Sequence, residues 1–171
     1  TFSHLFSIDS VRSAVAVGLF PDGSAMVVDS SNVLRVFRFD DQSHWEVASI
    51  EVPDWVYSLE IGPDSTIYLS CYSGLRLYRF ENNQLRFRAS YFNGGTASSA
   101  ALATDSTVVL ANGTDGVRVY QLAHGRFECL HRTLIAEAVS TVLRLSDGMF
   151  CTGNGDGQLK TWQLTPADLQ P

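Results

Sequence analysis

Four segments of this chain are variations on one another: Leu34–Phe39 reads LRVFRF, Leu75–Phe80 LRLYRF, Val117–Leu122 VRVYQL and Leu159–Leu164 LKTWQL. Their aromatic residues, Phe37, Tyr78, Tyr120 and Trp162, follow one another by 41, 42 and 42 residues. A second marker keeps step, because the turn pairs Pro21-Asp22, Pro63-Asp64, Thr104-Asp105 and Ser146-Asp147 recur at 42, 41 and 42. Two independent markers at one period define a structural repeat. A unit of that length cannot bury an apolar face alone, so each must stack on the next.

Within a unit, short runs of alternating character are separated by turn residues, the pattern of strands rather than of helices. The first unit gives strands at Ala14–Phe20, Ala25–Asp29, Leu34–Phe39 and Trp45–Ile50, with turns at Pro21-Asp22-Gly23, Ser30-Ser31-Asn32 and Asp40-Asp41-Gln42-Ser43. The units run roughly over 11–50, 55–92, 97–134 and 137–164, in one domain spanning 1–171. The fourth stops after three strands, and the segment 2–8 takes the place of an outer strand, since Ser7-Ile8 lies 42 residues ahead of Ser49-Ile50. Strand content and period together predict an all-β fold, a β-propeller of four-stranded antiparallel blades with four blades' worth of strands. Two arrangements remain open at this level. Pairing of the two termini would close a four-bladed ring, whereas an open arc, completed by a second copy or by further blades, would present an apolar sheet face at each end.

The fourth unit, with Thr152-Gly153-Asn154-Gly155-Asp156-Gly157 before Leu159-Lys160-Thr161-Trp162, resembles the second half of a WD-repeat. The resemblance implies a bracing cluster of Thr152, Asp156 and Trp162, with Asp115 and Tyr120 in the corresponding places of the third unit. The pattern departs from the family in two ways. No Gly-His precedes any unit at the usual distance, and the Asp expected after each aromatic is Arg38, Arg79, Gln121 or Gln163. The first unit, with Val28-Asp29-Ser30-Ser31-Asn32 before Leu34-Arg35-Val36-Phe37, also resembles an NHL repeat. What such a resemblance implies for function is a non-catalytic platform for protein–protein interaction within a larger assembly. The alternative is a ligand-binding or enzymatic propeller, of lectin, lactonase or dehydrogenase type, working through its central channel.

Composition narrows the partners. Hydrophobic residues make up 45% of the chain and charged ones 18%, which a packed core requires, and the net charge of −6 gives no general attraction to phosphate backbones. Protein partners are therefore expected, and nucleic acid is not. No apolar run approaches the ~20 residues of a spanning helix, so no membrane insertion is expected. Cys71, Cys129 and Cys151 are odd in number and lack metal-ligand spacing, which reads as buried free thiols and favours an intracellular, cytoplasmic setting. His4, His44, His124 and His131 form no ligand pair, and no phosphate loop or nucleophile elbow occurs, so neither a metal, a cofactor nor catalysis is expected.

Arg35, Arg76, Arg118 and Lys160 share one register in the four units. A ring of anion-binding charge is one reading; the simpler one is that each pairs with a turn carboxylate or lies over an aromatic ring. In propellers the loops entering the inner strand and those between the second and third strands share a face. Here they carry Asp9, Arg12, Asp29, Asn32, Asp54, Trp55, Tyr72, Asn112, Asp115, Glu137 and Asp156. The expected partner-binding surface is Asp9, Arg12, Asp54, Trp55, Tyr72, Asp115 and Glu137, whose acids and two aromatics suit a basic or amphipathic peptide.

Overall fold

A computed structural model of the chain describes residues 7–92, 95–133 and 138–165. These residues form fifteen strands and no helix. The first unit contains β1 (Ala14–Leu19), β2 (Ala25–Asp29), β3 (Val33–Phe39) and β4 (His44–Glu51), and the second β5 (Val56–Ile61), β6 (Thr66–Cys71), β7 (Gly74–Glu81) and β8 (Gln84–Phe92). The third contains β9 (Ser99–Leu102), β10 (Thr107–Ala111), β11 (Val117–Ala123) and β12 (Arg126–Thr133), and the fourth β13 (Val139–Ser146), β14 (Met149–Asn154) and β15 (Leu159–Gln163). Each unit is its own antiparallel sheet, with strands in chain order. The fourth has three strands among the described residues. The expected outer strand over 2–8 falls largely outside them, and Ser7 and Ile8 belong to no strand.

The turn marker has a direct physical cause. Asp22 accepts a hydrogen bond from the Ser24 amide at 2.9 Å and Asp64 from the Thr66 amide at 3.1 Å, while Thr104 takes the role in the third unit, accepting from the Thr107 amide at 3.0 Å. A side chain that mimics a backbone turn starts each second strand at the same place. The aromatic marker has another. In the first three sheets the third and fourth strands shift register next to the aromatic, between Val36/Phe37, Leu77/Tyr78 and Val119/Tyr120. A bulge there bends the outer strand, and the buried Phe37, Tyr78 and Tyr120 rings lie beneath.

The four sheets stack in chain order, with β1 against β5, β5 against β9 and β9 against β13. Three cores result. Met26, Val28, Leu34, Val36 and Leu69 lie between the first two sheets; Tyr68, Leu75, Leu77 and Leu110 between the second and third; and Ala101, Val109, Val117, Val142 and Phe150 between the third and fourth. Among the described residues β13 does not pack on β1 in the same way. At the first seam between sheets the inner strands meet at Gly18, where a Cβ would lie 2.5 Å from Leu59 Cδ1 and 2.9 Å from Ile61 Cδ1.

Register shows what the stack leaves uncovered. Leu34, Leu75, Val117 and Leu159 each precede the recurring cation. The first three are buried against the following sheet, whereas Leu159 is 76% exposed. On the opposite face Val17 pairs with Val27 as Leu59 does with Leu69, Ala100 with Leu110 and Val142 with Thr152. Leu59, Ala100 and Val142 pack on the preceding sheet, but Val17 is 69% exposed, although Val27 and Phe37 on the same face of the first sheet are buried.

Candidate functional site

Hydrogen bonds between neighbouring turns confirm that the inter-sheet loops and the turns between second and third strands lie together. The Val52 amide donates to the Asn32 carbonyl at 2.8 Å, Tyr72 to Trp55 at 2.9 Å, Ala97 to Cys71 at 3.1 Å and Gly113 to Val139 at 3.1 Å. Arg12 joins the same face, its carbonyl accepting from the Ser30 amide at 3.2 Å.

Three of the acids on this face, Asp29, Asp54 and Asp115, are already engaged. Asp29 accepts from the amides of Ser31 at 2.8 Å and Val33 at 3.2 Å and lies 3.5 Å from the Arg35 guanidinium. Asp54 accepts from the Trp55 amide at 2.9 Å, from the Ser73 hydroxyl and from Arg76 Nε at 3.2 Å. Asp115 accepts from Arg118 at 2.7 Å and from the Asn112 side-chain amide at 3.3 Å, with Arg132 at 3.6 Å. The recurring arginines are thus bound into their own turns, and Arg76 also lies 5.8 Å from the Phe92 ring centre. At Asp29, Asp54 and Asp115 local charge is neutralised where the sequence alone suggested an acidic surface.

What remains available is aromatic. Trp55, Tyr72 and Phe92 are exposed by 64%, 62% and 65% respectively. Tyr72 and Phe92, with Ser73, Gly95, Thr96 and Thr114, line an open groove of about 500 Å³ between the second and third sheets. Gly95 lies in a close approach: a Cβ there would be 3.3 Å from Asp115 Oδ2, a tight contact, and 3.5 Å from the Asn112 amide nitrogen. Of the expected surface Tyr72 lines the groove; Asp54 accepts from its Ser73, the Trp55 carbonyl accepts from the Tyr72 amide, and Asp115 lies behind Gly95. Asp9 and Arg12 are exposed at the first sheet, and Glu137 lies outside the described residues. Phe92, an aromatic that directly precedes Asn93-Gly94-Gly95 in the sequence, was not among the expected residues; an apolar residue beside a glycine pair is the signal that could have found it.

The bracing cluster is smaller than the resemblance implied. Trp162 Nε1 donates to the Thr152 hydroxyl at 2.8 Å, but Asp156 sits exposed at the turn tip, where its backbone amide bonds Asn154 at 3.2 Å and its carboxylate reaches neither partner. Asn154, two residues earlier, orders that turn instead, accepting also from the Gln158 amide at 2.8 Å. In the third sheet the buried Tyr120 hydroxyl accepts from Arg118 at 3.2 Å, and burial raises its pKa. The cysteines likewise differ from expectation: all three are free, but only Cys71 is buried, its pKa pushed up by burial to about 12, while Cys129 is exposed and Cys151 half-buried.

A second cavity, of about 370 Å³, opens where the inner strands converge and is lined by Glu60, Ala101, Thr104, Asp105, Leu143 and Arg144. Burial raises the Glu60 pKa above its ordinary 4.5. The folded chain therefore holds this proton more tightly than the unfolded chain does. The associated stability is present below pH 4.5 and is lost as pH rises through the folded value. Glu60→Gln is expected to raise the melting temperature at pH 7 and to give no gain at pH 4, as read by thermal scans at both. Among the described residues no group of three or more His, Cys, Asp or Glu side chains could hold a metal ion.

Fold and groove together define an all-β repeat protein of four stacked antiparallel sheets with an aromatic groove on its loop face. No family model and no curated protein matches the chain. Its fold is similar to the crystal structure of the computationally designed Ika4 protein, at 14% identity and a TM-score of 0.74, over 96% of this chain and 100% of that one. At that identity the likeness is one of fold alone.

Proposed function

We propose that the chain is a propeller of WD-like type and that it serves as a non-catalytic interaction platform, holding a partner peptide in the groove beside Trp55. The observation that carries this reading is the set of three exposed aromatics, Trp55, Tyr72 and Phe92, on neighbouring loops whose charges are satisfied internally. Large rigid side chains left in water at a concave site are what peptide anchors bind. Because Asp54 and Asp115 already hold arginines, an amphipathic peptide with an apolar anchor suits the groove better than a purely basic one. The propeller reading is supported by the 42-residue period, the four meandering sheets and the sequential packing of their inner strands.

Peptides selected on the protein from a random library are expected to be rich in aromatic and aliphatic anchors. Their binding should weaken by ~2 kcal/mol or more with Trp55→Ala or Phe92→Ala, and stay unchanged with Phe87→Ala, an exposed ring on outer strand β8. Calorimetric titration measures this, and equal affinity for all three variants would remove the groove as the site. The inner-strand cavity with Glu60, Asp105 and Arg144 supports a second reading, a small polar ligand held near the axis. Binding lost with Arg144→Ala but retained with Phe92→Ala would favour it.

A further inference from the structure

Charge around the aromatic groove is not balanced. On the second-sheet side the Asp54 carboxylate meets Arg76 at 3.2 Å, one to one. On the third-sheet side Asp115 meets two guanidiniums, Arg118 at 2.7 Å and Arg132 at 3.6 Å. Those two arginines stand opposite one another on β11 and β12, so a single carboxylate serves a cross-strand pair of like charges. Their settings differ. The Arg118 side chain is 8% exposed and also donates to the Tyr120 hydroxyl, whereas that of Arg132 is 49% exposed. Asp115 is thus committed to Arg118, and the charge of Arg132 is the surplus. The lining adds nothing to offset it, since Tyr72, Ser73, Phe92, Gly95, Thr96 and Thr114 are all neutral. Phe92 points the same way. Arg76 lies 5.8 Å from its ring centre, so the ring already faces one cation and has less attraction left for a second.

We infer that the groove takes an acidic peptide: an aromatic or aliphatic anchor against Tyr72 and Phe92, with Asp or Glu beside it directed to Arg132. The inference rests on the groove reading above and adds the sign of the partner's charge, which is the reverse of the basic peptide expected from the sequence. The chain's net charge of −6 opposes it little. Exposed charges more than about 8 Å away are largely screened at physiological salt, so the guanidiniums nearest the groove decide. Pairing at such a rim position selects among partners more than it adds affinity. Arg132 is then a specificity-determining residue, and Tyr72 and Phe92 supply the hold.

Selection on the full chain from a random peptide library is expected to enrich Asp and Glu beside the anchors. The same selection on Arg132→Glu should favour Lys and Arg instead. That variant should keep the β circular-dichroism signal, because Arg132 is exposed on an outer strand and Asp115 retains Arg118. In calorimetric titration the best peptide from the parent should bind Arg132→Gln about 3–5-fold, and Arg132→Glu about tenfold, more weakly. Added salt should weaken its binding to the parent and strengthen its binding to Arg132→Glu. Phe92→Ala separates the two claims. Peptides that depend on Phe92 yet carry no acidic bias, or that ignore Arg132→Glu, would overturn the charge assignment and leave the groove standing. Peptides indifferent to Phe92, or a selection that enriches none, would overturn the groove and this inference with it.

Discussion

Asp54→Ala is expected to destabilise the protein by about 3–5 kcal/mol, the usual loss when one member of a buried ion pair is removed. The Asp54 side chain is 7% exposed and that of Arg76 12%. Removing the carboxylate strands the guanidinium, frees the Ser73 hydroxyl and leaves the Trp55 amide without its acceptor at one stroke. Asp54→Asn keeps an acceptor for the amide and the hydroxyl and should lose distinctly less. Asp156→Ala, which the family resemblance would place among the most damaging changes, should leave the unfolding midpoint unchanged, because its carboxylate braces nothing. Urea denaturation of the three variants gives the comparison directly, and a silent Asp54→Ala would mean that the pair is not formed.

Leu75→Ala should cost about 2–5 kcal/mol, as large-to-small changes in close-packed interiors do. Leu75 is fully buried between the second and third sheets, beside Tyr68, Leu77 and Leu110. Its register equivalent Leu159 is open to solvent. Leu159→Ala should therefore leave thermal stability unchanged. For a chain of this size each kcal/mol corresponds to a shift of about 2–4 °C in Tm, so calorimetry separates the two cases easily.

The repeat made most of the fold legible. Strand ends expected from alternation and turn residues fall within two residues of those observed, because Asp22, Asp64 and Thr104 act locally on amides two or three residues on. The pairing of Asp115 with Arg118 was equally readable, three residues apart in one turn. Asp54 and Arg76 were harder: 22 residues separate them, and only the folding of β5 and β7 into one sheet, on either side of β6, brings them together. That is why Asp54 reads as a free surface acid in the sequence and is neutralised in the fold. Trp55 and Tyr72 were legible as exposed aromatics on the loop face, whereas the groove that Tyr72 lines needs Phe92 and Gly95 from further along the chain, whose position depends on how the third sheet docks.

The missing side chain of Gly18 has one more consequence. The turns of the four units are alike enough to be exchanged, but the seams are not, since the position that is glycine in the first sheet is Glu60 in the second, Ala101 in the third and Leu143 in the fourth. A follower bringing Leu59 and Ile61 fits behind Gly18 and would collide behind a larger residue. Shuffling the units would preserve every turn and every strand pattern, yet produce mismatched joints. The order of the modules is thus encoded as a series of fitted volumes, a lock cut along the axis rather than in the loops.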